Sequence, residues 1–193
     1  LADWANAQTN PSLPLTVVAE DELARMSQLQ TPKAVVALVK KKSFESPLNY
    51  KGKLTLVLDG IQDPGNLGTI IRTADWFGCT QIICSADTAD FYNPKVIQST
   101  MGSFLRVRVE KLAIETEIAD QNIPVYGALL NGESIYTTSI GTEGFLVIGN
   151  ESKGIREGIK KMITKAISIP QIGQAESLNA AVATGILLAK WQH

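Results

Sequence analysis

Residues 59–78 read DGIQDPGNLGTIIRTADWFG. This stretch follows an apolar run at residues 54–58 (LTLVL), which has the length and composition of a buried strand. Within the stretch, apolar residues recur at three- and four-residue spacing, as in a helix with one buried face, and Gly78 is a natural helix end. The stretch therefore predicts a strand, a polar turn and a helix over residues 66–77.

The predicted helix carries polar residues at its start and on one side. Asn66 and Arg72 fall near its polar sides, and Gly65 and Gly68 lie at its beginning. In an open α/β sheet, a helix that starts at the carboxyl end of a strand points its free N–H groups at the ligand-binding edge, which suits an anion such as a phosphate. On this stretch alone, a capped crossover helix with a solvated Arg72 is an equally good interpretation.

Composition favours one ordinary α/β domain with part of another module. The 193 residues include 18 Lys+Arg and 19 Asp+Glu, with a formal net charge of −1, so attraction to nucleic acid would have to come from a local patch. Two cysteines (Cys79 and Cys84) and one histidine (His193) cannot assemble a Cys/His metal set, and they predict a reduced, cytoplasmic protein. No apolar run is long enough to cross a bilayer and no signal segment is recognisable. Because the chain begins at Leu1, an upstream extension is expected.

The first quarter of the chain has a different texture from the rest. Residues 15–18 predict a strand, a short helix follows, and TPKAVVALVKKK (residues 31–42) predicts another strand. We interpret residues 1–42 as the C-terminal part of a small, separate α/β module. Residues 43–52, rich in Ser, Pro, Asn and Gly, are predicted to be a linker, and residues 53–193 to be the main domain.

From residue 54 onward, apolar strand-like runs alternate with helical patterns. The predicted strands are 54–58, 81–84, 105–109, 125–129, 145–148 and 166–169, and the predicted helices are 66–77, 94–100, 113–121 and 178–191. Such alternation predicts an α/β fold with a mainly parallel sheet and helices on both faces. The last helix is apolar nearly all round, which favours contact with the sheet on one side and a second surface, such as a subunit interface, on the other.

Two further motifs are weak when taken singly. GNESKG (residues 149–154) is an ordinary composition for a strand-to-helix turn, and Ser177 in SLN (residues 177–179) reads as a helix N-cap. The chain has no Walker lysine motif and no G-x-G-x-x-G after its first buried strand. A single terminal histidine also excludes a Ser-His-Asp triad.

Taken together, three segments are far more specific: DPGNLGTIIRTADWFG (63–78), FLVIGNESKGI (145–155) and ISIPQIGQAESLNAAVATGILL (167–188). In order and spacing they resemble the SpoU (TrmH-like) family of RNA 2′-O-ribose methyltransferases, in the SPOUT superfamily. The resemblance covers residues 53–191. Residues 1–42 are similar to the end of the N-terminal RNA substrate-binding domain that is frequent in this family.

The resemblance implies an α/β domain whose C-terminal segment is threaded into a trefoil knot, an exception to the rule that chains do not knot. It also implies S-adenosylmethionine as cofactor, RNA as substrate and a homodimer with each active site near the interface. No metal and no membrane are implied. The catalytic residues implied are Asn66, Arg72, Glu151, Ser177 and Asn179, and the cofactor-binding residues are Leu129, Leu130, Gly149, Asn150, Ile169, Ser177, Leu178 and Asn179.

The chemistry fits these residue types. A ribose 2′-hydroxyl is a poor nucleophile, so the protein has to supply in-line placement and a route for the proton. Because arginine is normally always protonated, our hypothesis is that Arg72 grips the phosphate next to the target ribose, with the proton relayed through that phosphate or taken by a strongly perturbed Arg72. Glu151 is expected to form a charge-assisted bond to Arg72 or to a substrate group. Lys153 and Arg156 either extend this phosphate-binding strip or form a solvated helix start.

Three functions remain open at this stage. The first is methylation of ribosomal RNA, and the second is methylation of transfer RNA by the same chemistry. The third is a non-catalytic SPOUT-like module that binds RNA.

Overall fold

The computed structural model describes residues 15–27, 35–119 and 121–191. The chain divides into two units, with the boundary between Ser46 and Pro47. The described part of the first unit contains one short helix, α1 (Glu20–Met26), in which Arg25 pairs with Asp21 one turn earlier at 2.7 Å.

The strands predicted in the first unit are wrong for the residues that the structure describes. Residues 15–19 and 35–45 form neither strand nor helix. Val17, Leu38 and Val39 are largely exposed, and within the described residues neither segment pairs with a strand, which a stable strand requires. Residues 1–14 and 28–34, on which the rest of this prediction falls, lie outside the described residues.

The second unit is built on a six-stranded sheet. Its strands are β1 (Leu54–Asp59), β2 (Gln81–Cys84), β3 (Arg108–Lys111), β4 (Val125–Ser134), β5 (Gly144–Gly149) and β6 (Lys165–Ser168). The spatial order is β3-β2-β1-β5-β4-β6, and every neighbouring pair is parallel. The predicted α/β fold with a parallel sheet is therefore confirmed.

Helices cover both faces of this sheet. They are α2 (Pro64–Trp76), α3 (Pro94–Ser99), α4 (Ile114–Ala119), α5 (Glu157–Lys160) and α6 (Ala180–Trp191), with a 3₁₀ helix at Ser103–Leu105. Alternate strand residues pack on opposite sides, so that Leu56 joins α2, α3 and α6 in one core while Val57 joins α4 and α5 in the other. No helix within the described ranges is long and apolar enough to span a membrane.

Helices α2 and α3 are in unusually close contact. A Cβ at Gly68 would lie 2.4 Å from Ser99 Cβ and 2.7 Å from the carbonyl oxygen of Val96. Such contacts are shorter than van der Waals packing permits, so only glycine fits. This contact fixes α3 beside the first turns of α2.

The strand predicted at residues 105–109 begins later than expected. Met101 (φ 50°) and Gly102 (φ 92°) turn the chain into the 3₁₀ helix, and Arg106 then donates to Asp75 on α2 at 2.6–3.1 Å. Only Arg108 and Val109 of the predicted segment are therefore in strand β3, because the residues before them follow a turn tied to α2.

Part of the predicted linker is folded onto the second unit. Tyr50 is 5% exposed, stacks against Phe145 with ring centroids 5.0 Å apart, and donates to Glu117 at 2.6 Å. The backbone of Gly52 donates to Glu143 at 2.6 Å. These contacts fix the chain immediately before β1.

Candidate active site

The candidate site is a cavity at the carboxyl edge of the sheet. Its volume is about 520 Å³, and three segments line it: the end of β4, the turn after β5 and the loop after β6. Strands β1 and β5 are neighbours in the sheet, with Asp59 level with Gly149. Their crossovers leave in opposite directions, so a topological switch point lies between these two strands, next to Gly149 on the wall of the cavity.

Seven of the eight predicted cofactor-binding residues line this cavity. They are Leu129, Leu130, Gly149, Asn150, Ile169, Ser177 and Leu178. Asn179 lies just outside the lining, at the start of α6. The structure therefore gathers these residues at one cavity, while their roles stay predictions.

An irregularity in β4 brings Leu129 and Leu130 to the cavity. The pairing of β4 with β6 jumps from Ala128 to Glu133, so the residues between them are displaced from the ladder. A Cβ at Gly132 would lie 2.5 Å from the carbonyl carbon of Ile167. Gly132 is therefore needed for this bulge, and the sequence prediction had missed its part in the site.

The turn after β5 is a closed backbone ring. Asn150 and Gly154 exchange backbone hydrogen bonds of 3.1 and 2.8 Å, and the Asn150 side chain donates to the carbonyl of Gly60 at 2.7 Å. A Cβ at Gly149 would lie 2.4 Å from the carbonyl carbon of Gly154. Gly149 is therefore required by the turn itself, in addition to any part in binding a ligand.

The loop after β6 covers the cavity with largely exposed residues. The Gln171 side-chain amide donates to the carbonyls of Gly173 and Ala175, both at 2.9 Å, which fixes the curve of the loop. Leu178 is 47% exposed and Ile172 fully exposed. The curved loop and these two apolar side chains offer a contact surface to an apolar ring.

One hydrogen-bonded chain connects the three motif segments. Asn179 Oδ1 accepts from the backbone N–H groups of Ala181 and Val182, so its Nδ2 is the atom that donates to Asn66 Oδ1, at 2.9 Å. Asn66 Nδ2 in turn donates to Glu151 Oε1 at 2.6 Å. The start of α6 thus sets the orientation of both amides, and Glu151 serves as the acceptor at the cavity wall.

This chain also corrects two predictions. Asn179, and not Ser177, caps α6, which begins at Ala180. Of the two partners expected for Glu151, Arg72 is replaced by Asn66, which donates to it at 2.6 Å, while the expected bond to a substrate group stays a prediction. Helix α2 itself starts at Pro64, two residues earlier than predicted.

The amino terminus of α2 is not an open anion site. Asp63 Oδ1 accepts the backbone N–H of Asn66 at 2.7 Å as the helix cap. A carboxylate already occupies the position that a ligand phosphate would take. The prediction of an anion at this terminus is replaced by a side-chain cap.

Arg72 lies on the solvent-facing side of α2. Its side chain is exposed, and among the described residues it makes neither a hydrogen bond nor an ion pair. Ser177 is likewise exposed on the loop after β6. Both side chains are therefore available to a ligand, and neither lies in the chain of bonds that joins Glu151, Asn66 and Asn179.

The guanidinium group of Arg156 is paired with Asp59 and is not free. Arg156 donates to the buried Asp59 through its backbone N–H at 2.7 Å and through its side chain at 2.6 Å. The hydrogen bond that Arg156 donates to the carboxylate of Asp59 raises the pKa of Arg156 above its ordinary value. Of the two predicted phosphate-binding cations after β5, Arg156 is thus committed to closing the end of β1, while Lys153 is exposed at the cavity.

No group of three or more His, Cys, Asp or Glu able to hold a metal ion occurs within residues 15–27, 35–119 and 121–191. Cys79 and Cys84 are free and buried, and burial raises their pKa values to about 11 and about 12. Neither thiol is therefore ionised at neutral pH, and neither can act as a nucleophile there.

The parallel sheet, with helices on both faces and a cavity at its carboxyl edge, is that of a doubly wound α/β domain. Residues 53–189 match the model of the SpoU rRNA Methylase family, and the chain belongs to that family. The resemblance inferred from the three motifs is confirmed.

Relatives and solved structures agree with this assignment. The chain is 34% identical over 176 residues to the 23S rRNA (guanosine(2553)-2′-O)-methyltransferase RlmP of Bacillus subtilis. The aligned region covers 89% of this chain and 70% of RlmP. It is similar to a protein of the TrmH family from Porphyromonas gingivalis (TM-score 0.73, 38% identity, covering 88% and 70% of the two chains). It is also similar to the AdoMet-bound rRNA methyltransferase from Sinorhizobium meliloti (TM-score 0.69, 34% identity, covering 73% and 56%).

Proposed function

We propose that this protein transfers a methyl group from S-adenosylmethionine to a ribose 2′-hydroxyl of RNA, with ribosomal RNA as the substrate. The observation that carries the proposal is the junction of the cavity with the Glu151–Asn66–Asn179 chain. RlmP is named for 2′-O-methylation of 23S rRNA, and this likeness supports the choice of substrate.

The cavity fits the proposed cofactor. Its volume of about 520 Å³ lies in the range of small-molecule sites, roughly 300–1,000 Å³. Leu129, Ile169 and Leu178 offer apolar contacts, and the backbone around Gly149 and Ser177 offers hydrogen-bonding groups. The AdoMet-bound state of the Sinorhizobium meliloti structure supports this assignment.

The bound cofactor supplies an electrophilic methyl group, and the residues of the chain supply placement. Arg72 holds the phosphate beside the target ribose, which orients the hydroxyl and offers that phosphate as proton acceptor. Glu151 is fixed by Asn66, and its second carboxylate oxygen is available to accept a bond from a substrate group. Ser177, exposed on the loop after β6, orients the substrate by a hydrogen bond, and Asn179 fixes the end of that loop through its bonds to Asn66 and to the start of α6.

The test is methyl transfer from labelled cofactor to ribosomal RNA that lacks the modification, followed by mapping of the methylated ribose. We expect activity from the wild type, and a loss of at least about tenfold in kcat/KM for Arg72→Ala, since a hydrogen bond to a charged group contributes about 1.5–3 kcal/mol. Calorimetry should show cofactor binding unchanged by Arg72→Ala.

Each other outcome has a distinct meaning. Transfer to transfer RNA alone would replace the substrate but keep the chemistry. Cofactor binding without transfer to any RNA would favour a non-catalytic RNA-binding module. An Arg72→Ala variant with wild-type activity would remove Arg72 from the mechanism.

Exposed apolar side chains near one end of α2 support assembly of two chains. The protein forms a homodimer through an apolar patch at the carboxyl-terminal end of α2, defined by Trp76, Met101 and Leu105, which are 84%, 71% and 66% exposed. Exposed apolar surface of this kind marks an interaction site. We also propose that the segment after β6 is threaded into a trefoil knot. Residues 1–42 belong to an RNA substrate-binding domain. The protein acts in the cytoplasm on its RNA substrate.

A further inference from the structure

Lys95 reaches from α3 across the first turn of α2. It is the second residue of α3, and its Cε lies 3.8 Å from the position that a Cβ on Gly65 would occupy. Gly65 directly precedes Asn66, whose amide is bonded to Glu151. The close contact of α2 with α3 at Gly68 holds this arrangement in place.

The ammonium group of Lys95 is attracted to the carboxylate of Asp63 but is not hydrogen-bonded to it. Its Nζ lies 3.8 Å from Asp63 Oδ2, which is longer than a hydrogen bond, and 64% of its side chain is exposed. The other oxygen of Asp63 is committed to capping α2 through the N–H of Asn66. Exposed ion pairs of this kind are weak and exchange readily for another anion.

Lys95 and Arg72 stand at the two ends of one exposed ridge. Gly65, Thr69 and Arg72 follow each other at spacings of four and three residues and so lie along one side of α2. Thr69 and Arg72 are exposed. At about 1.5 Å per residue, Gly65 and Arg72 are roughly 10 Å apart along the helix axis, and the residue between them on this ridge is an uncharged threonine.

We propose that Lys95 is an RNA-binding residue whose ammonium group contacts a backbone phosphate of the substrate strand while Arg72 contacts the phosphate beside the target ribose. The inference rests on the proposed function. A nucleic-acid strand carries one negative charge per nucleotide, so two cations along one ridge bind a strand that runs parallel to α2. Such a strand passes Asn66 and Glu151 at the cavity wall, where the ribose has to lie.

The experiment compares Lys95→Gln with Lys95→Arg and with Lys161→Gln in the full chain. Lys161 is also an exposed lysine, but it lies between α5 and β6, near the amino edge of the sheet. For each variant, methyl transfer to ribosomal RNA gives KM and kcat, RNA binding is measured from low to physiological salt, and cofactor binding is measured by calorimetry.

For Lys95→Gln we expect the KM for RNA to rise about five- to tenfold with kcat at saturating RNA nearly unchanged, because one phosphate contact is lost. The slope of log K against log salt should become shallower by about 0.7 to 1. Lys95→Arg should restore both quantities, and Lys161→Gln should resemble the wild type. Cofactor binding should be equal in all four proteins.

Unchanged KM and salt slope in Lys95→Gln would overturn the inference, as would an equal effect of Lys161→Gln. A defect that Lys95→Arg fails to restore would also overturn it, since a structural role would not depend on charge in this way. A wild type without methyl transfer would instead count against the proposed function, and RNA binding by Lys95→Gln would then still decide the role of Lys95.

Discussion

At the residue scale, Asn66 is the centre of the site because both the oxygen and the nitrogen of its side-chain amide are hydrogen-bonded. Asn179 donates to its oxygen and its nitrogen donates to Glu151, at 2.9 and 2.6 Å. A carboxylate in place of this amide could still accept from Asn179 but would repel Glu151. Asn66 therefore holds Glu151 in position through one hydrogen bond that it donates.

Asn66→Asp is accordingly expected to lower kcat by at least about tenfold, which corresponds to about 1.4 kcal/mol of transition-state stabilisation. The measurement is methyl transfer at saturating RNA and cofactor, with thermal unfolding as a check on folding. Asn122→Asp is the matched control, since Asn122 is exposed just before β4 at the opposite edge of the sheet. Equal kcat values for Asn66→Asp and the wild type would contradict this role.

The sequence predicted which residues would meet better than it predicted what each would do. Motif order brought Glu151 and Asn66 to one site because both follow neighbouring parallel strands at their carboxyl ends. The partner of Arg156 was not predictable, because Asp59 is separated from it by 97 residues. The N-cap was misplaced because Ser177 and Asn179 are both good capping residues, and only the path of the loop decides between them.

At the element scale, the position of α3 beside α2 depends on a single missing side chain. Gly68→Ala would force a Cβ to within 2.4 Å of Ser99 Cβ, so the two helices would have to separate. We expect a loss of about 1–3 kcal/mol in the free energy of unfolding, the usual cost of overpacking. Chemical denaturation would measure it.

Gly185→Ala is the matched control, because Gly185 also lies inside a helix. There the added Cβ would lie 3.7 Å from Thr73 Cγ2, an ordinary contact. Alanine is favoured over glycine inside helices by roughly 0.5–1 kcal/mol, so this variant should be equal to the wild type or more stable. Similar losses in both variants would show that close contact at Gly68 is not the cause.

The turn between α3 and β3 explains why one strand was mispredicted. Local alternation in LRVRV resembles a strand, but Arg106 is drawn to Asp75, 31 residues earlier on α2. Period-two patterning reports only which residues alternate, and it contains no information about a partner on another element. Strands β1, β2, β5 and β6 were predicted to within one residue at each end because buried parallel strands are continuous apolar runs, whereas β4 continues past the predicted end at residue 129 to Ser134.

The Asp75–Arg106 pair also predicts a pH dependence. The hydrogen bonds that Arg106 donates to Asp75 hold the pKa of Asp75 below its ordinary value of 3.8. A carboxyl group with a lowered folded-state pKa stabilises the fold above the unfolded-state pKa, and this contribution is lost as the pH falls through the folded-state pKa. Arg106→Gln should therefore lower Tm at pH 7, and the difference from the wild type should shrink as the pH falls below about 3.8. A difference in Tm that stays constant down to pH 3 would contradict this.

At the scale of the whole molecule, the ridge of α2 changes character along its length. Its first half carries the polar positions from Gly65 to Arg72, and its end carries Trp76, which is 84% exposed. Asp75 binds Ser103 and Arg106 at 2.6–3.1 Å and so fixes the 3₁₀ helix with Leu105 beside this end. One helix thus carries a polar surface, proposed above to contact RNA, and an exposed apolar end, proposed above to contact a second subunit.

Trp76→Glu is expected to convert the proposed homodimer into a monomer, because a charge in the centre of an apolar interface would be buried without a partner. Light scattering should give twice the chain mass of 20.8 kDa for the wild type and a single chain mass for the variant. Tyr136→Glu, which introduces the same charge at an exposed aromatic residue of the same unit, should leave the mass unchanged. If each active site lies near the interface, Trp76→Glu should also lose methyl transfer while it still binds the cofactor, since the cavity is built from one chain. A wild type of single chain mass would refute the homodimer, and a dimeric Trp76→Glu would place the interface away from the end of α2.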